Sequence, residues 1–136
     1  LDLGVHLGKD SMFNTPPVFS VYTTLLTMRW LKNLGGVAAI EKINEEKAAL
    51  LYSEIDRNSL FSGHADLDSR SNMNITFRLN DDSTSEKFDE LWNNANISGI
   101  KGHRSVGGYR ASMYNAMPLE SVQALVDVMK EFERTI

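Results

Sequence analysis

The sequence predicts an α+β fold in which helices pack on one face of a small antiparallel or mixed sheet. Three observations favour it. Residues 18–34 and 37–56 place apolar side chains at helical spacing. Residues 72–79 alternate apolar with polar side chains, as a half-buried strand does. The elements follow in the order helix, helix, strand, helix, strand, strand, helix, so the longest helices come before the strands.

The composition excludes several classes of protein. The chain has 136 residues, the length of one domain. Its net charge of −4 and pI of about 5.3 argue against a general nucleic-acid-binding surface. The sequence has no cysteine, which excludes disulfides and cysteine-based zinc sites, and its histidines are too far apart in sequence for a structural metal site. No apolar run reaches the roughly 18 residues of a membrane span, so we expect no membrane partner.

The N-terminal segment leads into a long apolar helix. Residues 1–14 read as irregular or extended chain, and Thr15 is predicted to cap a helix whose first turn tolerates Pro16 and Pro17. A glycine pair at positions 35 and 36 ends this helix. Its apolar residues are so dense that we expect burial on more than one face, either in a core or against a partner.

A second helix is expected from Val37 to about Asp56, with one apolar and one charged side. The residues assigned to the apolar side are Ile40, Ile43, Leu50, Leu51 and Ile55. Those assigned to solvent, with no functional role needed, are Glu41, Lys42, Glu45, Glu46 and Lys47.

The remaining elements are shorter. We expect a short strand near residues 60–61, the strand 72–79, a helix of about three turns around residues 88–95, and two strands at 97–101 and 109–114. Pro118 opens the last helix. The apolar stripe of that helix is formed by Val122, Leu125, Val126, Met129 and Phe132.

A cationic, glycine-rich stretch is the first candidate site. It reads Gly102-His103-Arg104-Ser105-Val106-Gly107-Gly108-Tyr109-Arg110, follows Lys101, and lies in a run from Leu91 to Leu119 that contains no Asp or Glu. Arginine pairs bidentately with carboxylate or phosphate, and glycine lets the backbone approach a ligand. The stretch therefore predicts an anion site, the alternative being a solvated hairpin turn with ordinary surface charge. In the strand that follows, Arg110 is expected on the face opposite Tyr109 and Met113.

The second candidate is the helix start at Asn14-Thr15-Pro16-Pro17. A helix N-terminus carries unpaired N–H groups and a partial positive charge, which suit a phosphate. The alternative is that Thr15 only caps its own helix, which is the commoner role of such residues. No catalytic pair or phosphate-binding loop motif occurs in the chain, and its lysines fall mostly on polar faces or loops, unlike activated amines.

Five blocks of the sequence, in order along essentially the whole chain, resemble the phosphoserine aminotransferases, which are class V, fold-type I enzymes that use pyridoxal phosphate. The blocks are Ser11-Met12-Phe13-Asn14-Thr15-Pro16-Pro17, Trp30-Leu31, Gly35-Gly36-Val37, Lys101-Gly102-His103-Arg104-Ser105-Val106-Gly107-Gly108, and Arg110-Ala111-Ser112-Met113-Tyr114-Asn115-Ala116-Met117-Pro118-Leu119. The last two together are far more specific than any single short motif.

The resemblance implies a division of the chain. Residues 1–17 would lead in from a large domain, and residues 18–136 would form the small C-terminal domain. The lysine that forms the Schiff base and the aspartate that pairs the cofactor ring would lie upstream of Leu1, so no catalytic residue is expected in this chain and we expect it to be inactive alone. Its opening residues also read like the middle of a protein, which predicts a piece of a longer one.

The resemblance also assigns roles to the candidate residues. His103 and Arg104 match the residues that bind the substrate phosphate, and Arg110 matches the one that binds the α-carboxylate. Asn14 and Thr15 match the pair that contacts the phosphate of pyridoxal phosphate across a homodimer interface.

The implied reaction transfers an amino group between glutamate and 3-phosphohydroxypyruvate, giving phosphoserine and 2-oxoglutarate in the cytoplasm. The alternative is a stand-alone regulatory module that binds an anion or an amino acid through the same cationic stretch.

Overall fold

The computed structural model describes residues 2–102 and 107–136, which contain three antiparallel strands, five α-helices and two single-turn 3-10 helices. The predictions for His103 and Arg104 therefore lie outside the described residues. The helices are α1 (Leu3–Leu7), α2 (Val18–Leu34), α3 (Val37–Arg57), α4 (Ser85–Asn94) and α5 (Leu119–Thr135). The strands are β1 (Phe61–Gly63), β2 (Asn74–Leu79) and β3 (Tyr109–Ser112). The chain forms two compact units, Leu1–Ala39 and Ile40–Ile136.

The first unit begins with a short helix where irregular chain was expected. The side chain of Asp2 accepts a hydrogen bond from the Gly4 N–H over 2.9 Å and so caps α1. The residues from 3 to 7 contain no strong helix breaker except Gly4, and the cap stabilises this single turn. The prediction of irregular chain was wrong here.

Helix α2 begins at Val18 rather than directly after Thr15. Pro17 takes the capping position with a ψ of 72°, and no side chain caps the helix. A proline disfavours the α conformation of the residue before it, so Pro16 keeps Thr15 out of the helix and Pro17 does the same to Pro16. The prediction that Thr15 caps this helix was wrong.

Helix α2 ends as predicted, but none of its residues is buried. Gly35 ends the helix in the left-handed conformation, with φ at 112° and its N–H on the carbonyls of Leu31 and Lys32, as expected. None of the residues of α2 is buried, although Phe19, Tyr22 and Trp30 are large and apolar. The helix is therefore not buried in a core of the described residues, and contact with a partner stays a prediction.

The second unit holds the sheet, in the order β1-β2-β3, and one hydrophobic core. In the register of the central strand, Phe77 faces both Gly63 and Tyr109, and Thr76 faces Arg110. From Asn74 onward the predicted alternation is confirmed, because Ile75, Phe77 and Leu79 are buried while the residues between them are not. The strand does not extend back to residue 72, and Met73 is 38% exposed. The buried side chains of α3, α4 and α5 join those of the strands in one cluster, so the α+β prediction with helices on one face is confirmed.

Aromatic rings fill the centre of this core. Phe88 of α4 lies with its ring centroid 5.2 Å from Phe61, 5.2 Å from Phe132 and 5.0 Å from Tyr109. The apolar stripe predicted for the last helix is buried, and Val128 is buried with it. Such contacts between ring edges and faces stabilise beyond the area they bury.

The strand expected at residues 97–101 is not formed. Asn96 and Gly99 both have positive φ, at 57° and 72°, and this breaks the extended run. Only Lys101 bridges to Tyr109, beside the edge of β3. Within residues 2–102 and 107–136, no helix is both long enough and apolar enough to cross a bilayer.

Candidate functional site

Arg110 is the best-defined cation of the candidate site. It lies on β3 between Tyr109 and Ala111, which are both buried, while its own side chain is exposed. The predicted facing of this strand is therefore confirmed. Within residues 2–102 and 107–136 no carboxylate comes within ion-pair distance of its guanidinium. Among the described residues this group thus has no charged partner, and its five donors can bind an anion.

A cleft of about 370 Å³ adjoins Arg110. Its walls come from residues 95–100, from β3 with Met113 and Met117 beyond it, and from the first turns of α5, including Ser121. Most of this lining is apolar, with a single guanidinium among it. Such a combination suits a small molecule that carries an anionic group on a carbon skeleton.

The chain on either side of residues 103–106 is closely paired. The N–H of Gly102 donates to the carbonyl of Gly108 over 2.8 Å, and the N–H of Arg110 donates to the carbonyl of Ile100 over 2.6 Å. A Cβ atom on Gly102 would lie 2.1 Å from the Gly107 carbonyl oxygen. Gly108 has a φ of 65°, and a Cβ there would lie 2.7 Å from the Phe77 carbonyl oxygen. Glycine is therefore required at both positions, which the sequence pattern had indicated only in general terms.

Lys101 does not contribute a free charge to the cationic stretch. Its ammonium lies 2.6 Å from Oδ2 of Asp89 on α4. Oδ1 of the same carboxylate accepts hydrogen bonds from Trp92 Nε1 at 2.9 Å and from the Tyr109 hydroxyl at 3.0 Å. The interpretation that no local acid balances the stretch was thus incomplete, because Asp89 lies on α4, just before the run from Leu91 to Leu119.

This contact network shifts two pKa values. Burial acts to raise the pKa of Asp89, but the hydrogen bonds from Lys101, Trp92 and Tyr109 outweigh it and leave this pKa below its usual range. Burial, followed by the bond to Asp89, raises the pKa of Tyr109 far above that of a free phenol. Asp89 is therefore ionised and Tyr109 neutral at physiological pH.

Asn14 and Thr15 lie exposed between α1 and α2. Thr15 caps no helix, and within the described residues neither side chain makes a hydrogen bond. An amide and a hydroxyl that have no internal partner fit the oxygens of a phosphate, which accept several hydrogen bonds. These residues belong to the first unit and Arg110 to the second.

Sequence reasoning missed Lys47. It was assigned to solvent, but its side chain is completely buried, and its ammonium donates to the carbonyls of Met113, Tyr114 and Met117 over 3.2, 2.9 and 3.2 Å. The spacing was informative: Lys47 lies seven residues after Ile40 and four before Leu51, on the buried side of α3. Exposure was nevertheless predicted for Lys47 because its side chain is charged.

Metal binding has no support in the described part of the chain. No group of three or more His, Asp or Glu side chains there could hold an ion.

Comparisons with known proteins agree with this picture. The class-V aminotransferase family model matches residues 5–125. A phosphoserine aminotransferase of Flavobacterium psychrophilum is 65% identical over 136 residues, which are 100% of this chain and 38% of that protein. The chain thus spans little more than a third of the length of the curated relatives it matches.

Two solved structures have the same fold over nearly the whole chain. The phosphoserine aminotransferase from Bacillus circulans subsp. alkalophilus is 41% identical, with a TM-score of 0.88 over 98% of this chain and 37% of that one. The pyridoxal-phosphate-bound phosphoserine aminotransferase from Trichomonas vaginalis is 38% identical, with a TM-score of 0.82 over 95% of this chain and 37% of that one. The resemblance seen in the sequence is confirmed, and the chain belongs to the class-V aminotransferase family.

Proposed function

We propose that this chain is the C-terminal part of a phosphoserine aminotransferase. The complete protein would transfer an amino group between glutamate and 3-phosphohydroxypyruvate in serine biosynthesis. The observation that carries the proposal is the 65% identity to one such enzyme along the entire chain. The chain would select and orient the substrate, and residues outside it would transfer the proton.

Arg110 binds the α-carboxylate in this proposal. Its exposure, the absence of an ion-pair partner among the described residues and its place beside the cleft all support the role. The planar guanidinium can hold both oxygens of a carboxylate, which fixes the orientation of the substrate as well as its position.

His103 and Arg104 bind the substrate phosphate. They directly follow Gly102, which is hydrogen-bonded to Gly108, and Gly108 is two residues before Arg110. In this proposal the segment and Arg110 address the two anionic ends of one small substrate. A substrate with no second anionic group at that end would leave His103 and Arg104 unpaired, which is a cause of selectivity.

Asn14 and Thr15 hold the phosphate of pyridoxal phosphate. Their exposed side chains, a few residues before an apolar helix, support this role. When bound, the cofactor supplies the electron sink that amino-group transfer requires. In this proposal residues 1–17 join the small domain, residues 18–136, to the remainder of the protein. The two side chains reach the site of the other subunit of a cytoplasmic homodimer.

The unburied apolar residues of α2 support a longer parent protein. A helix with Phe19, Tyr22 and Trp30 exposed needs a covering surface, and the relatives are more than twice the length of this chain. We assign the part of the parent protein outside this chain as that surface.

The test uses the complete reading frame that contains this chain. The purified product should bind pyridoxal phosphate and interconvert glutamate and phosphoserine with their oxo acids. Arg104→Ala should lower kcat/KM for phosphoserine by about 30- to 5,000-fold, the effect of breaking a buried charged contact, and should affect a non-phosphorylated amino acid much less.

Two results would contradict the proposal. Equal losses for the phosphorylated and the non-phosphorylated substrate would remove the phosphate role of Arg104. A complete product with no transaminase activity, together with tight binding of phosphoserine by the 136-residue chain alone, would favour the regulatory module instead.

A further inference from the structure

Lys47 is a buried cation without a buried anion. The other buried charge of α3, Glu54, pairs with Arg57 at 2.6 Å. Lys47 has no carboxylate within ion-pair distance among the described residues and binds only the three carbonyls of residues 113–117. An ammonium has three donors, so these three acceptors saturate it.

The position would be filled more simply by an apolar side chain. Removing an ammonium from water is costly, and burial lowers the pKa of Lys47 accordingly. A methionine of similar length would avoid that cost, but it would leave the carbonyls of Met113 and Met117 without a donor and that of Tyr114 with only the Met117 N–H. The lysine therefore acts as a hydrogen-bond donor to the backbone of residues 113–117, a role that an apolar core side chain could not fill.

Those residues connect the candidate site to the last helix. They follow β3, which carries Arg110, and they precede α5. Met113 and Met117, whose carbonyls bind Lys47, line the same cleft as Arg110. Asn44, one turn earlier on α3, adds a hydrogen bond of 2.9 Å from Nδ2 to Asn115 Oδ1. Helix α3 thus holds one wall of the cleft from behind, at several points.

We propose that Lys47 is a positioning residue for carboxylate recognition, which fixes residues 113–117 so that the cleft keeps its shape beside the Arg110 guanidinium. The inference rests on the proposed function and extends it to a residue that does not touch the substrate. Since both amino-acid substrates carry an α-carboxylate, the loss of Lys47 affects both equally.

The experiment compares Lys47→Met with Lys47→Gln in the complete enzyme. Lys42→Met on the exposed side of the same helix is the matched control. A displacement of about 1 Å in a binding site can reduce turnover efficiency by about 100-fold, so we expect kcat/KM to fall by roughly 10- to 100-fold in Lys47→Met. The loss should arise mainly through KM, and for glutamate and phosphoserine alike.

Lys47→Gln retains two donors and should lie between the wild type and Lys47→Met. It also keeps the question open to measurement if Lys47→Met does not fold. Lys42→Met should match the wild type. Assays at 25 °C, with folding checked by circular dichroism, separate binding from stability.

The outcomes distinguish this inference from the function beneath it. A wild-type enzyme that does not transaminate overturns the proposed function and the inference together. An active wild type whose folded Lys47 variants have a lower melting temperature and unchanged KM values overturns the positioning role alone. A KM effect on only one of the two substrates would also contradict it.

Discussion

The hydroxyl of Tyr109 donates a hydrogen bond to Oδ1 of Asp89 over 3.0 Å, from the first residue of β3 to the middle of α4. The same carboxylate binds Lys101, the residue that bridges to Tyr109 on the other side of the glycine-rich stretch. One side chain on a helix therefore holds both chain segments that lead to residues 103–106. Both segments that flank residues 103–106 are thus held by α4 as well as by the sheet.

Replacing Asp89 by Asn should destabilise the second unit. The amide preserves the shape and one acceptor, but the charge that attracts Lys101 and strengthens the bonds from Trp92 and Tyr109 is lost. Because Lys101 is largely exposed, we expect a loss of about 1–2 kcal/mol in the free energy of unfolding, measured by urea denaturation. Glu90→Gln, an exposed change on the same helix, should have almost no effect. Equal values for both variants would show that the network contributes nothing.

The stability difference between the wild type and Asp89→Asn should also depend on pH. The pKa of Asp89 is lower in the folded than in the unfolded chain, so its stabilisation is complete above the unfolded value of about 3.9 and disappears as the pH falls through the folded value. The difference in unfolding free energy between wild type and Asp89→Asn should be constant from pH 5 to 7 and shrink below about pH 4. Urea titrations at a series of pH values measure it. A difference that persists unchanged at pH 2 would contradict the assignment.

The parts of the fold that follow simple periodicity were predictable. The alternation in β2 and the stripe from Val122 to Phe132 place apolar side chains at the spacing of their element, and burial of such side chains dominates the free energy of folding. The facing of Arg110 followed from the same alternation. These predictions needed no knowledge of distant contacts.

The errors arose where a residue's role depends on residues distant in sequence or on a local backbone constraint. Lys47 was assigned to solvent because its acceptors are carbonyls 66 to 70 residues away along the chain. The balancing charge of Asp89 was not predicted because Asp89 lies two residues before the acid-free run that begins at Leu91. The prediction that Thr15 caps α2 was wrong because each of two successive prolines disfavours the helical conformation of the residue before it.

Gly108 offers a test of backbone geometry next to the site. Gly108→Ala combines a positive φ with a Cβ only 2.7 Å from the Phe77 carbonyl oxygen, so the central strand must shift. Gly99 has a similar φ of 72°, but a Cβ there would meet nothing within 4 Å. Gly99→Ala should therefore cost only the conformational term, about 1 kcal/mol, and Gly108→Ala should cost at least 1–3 kcal/mol more. Thermal denaturation of both variants compares them, and equal melting temperatures would exclude a clash at Gly108.

Arg110 separates function from stability. Arg110→Gln removes an exposed charge that has no ion-pair partner among the described residues, so the free energy of unfolding should change by less than about 0.5 kcal/mol. In the complete enzyme the same variant should lose about 30- to 5,000-fold in kcat/KM for every α-amino acid substrate, because the carboxylate loses its charged partner. Arg110→Lys should recover only part of this, since an ammonium lacks the bidentate fork. The matched control is Arg78→Gln. Arg78 is an exposed arginine of β2 on the same face of the sheet as Arg110, and its side chain is hydrogen-bonded to Ser62. Steady-state kinetics with glutamate and phosphoserine distinguish the two positions: a comparable loss in Arg78→Gln would point to the general electrostatic field of this face, and a loss confined to Arg110 to a direct contact with the carboxylate.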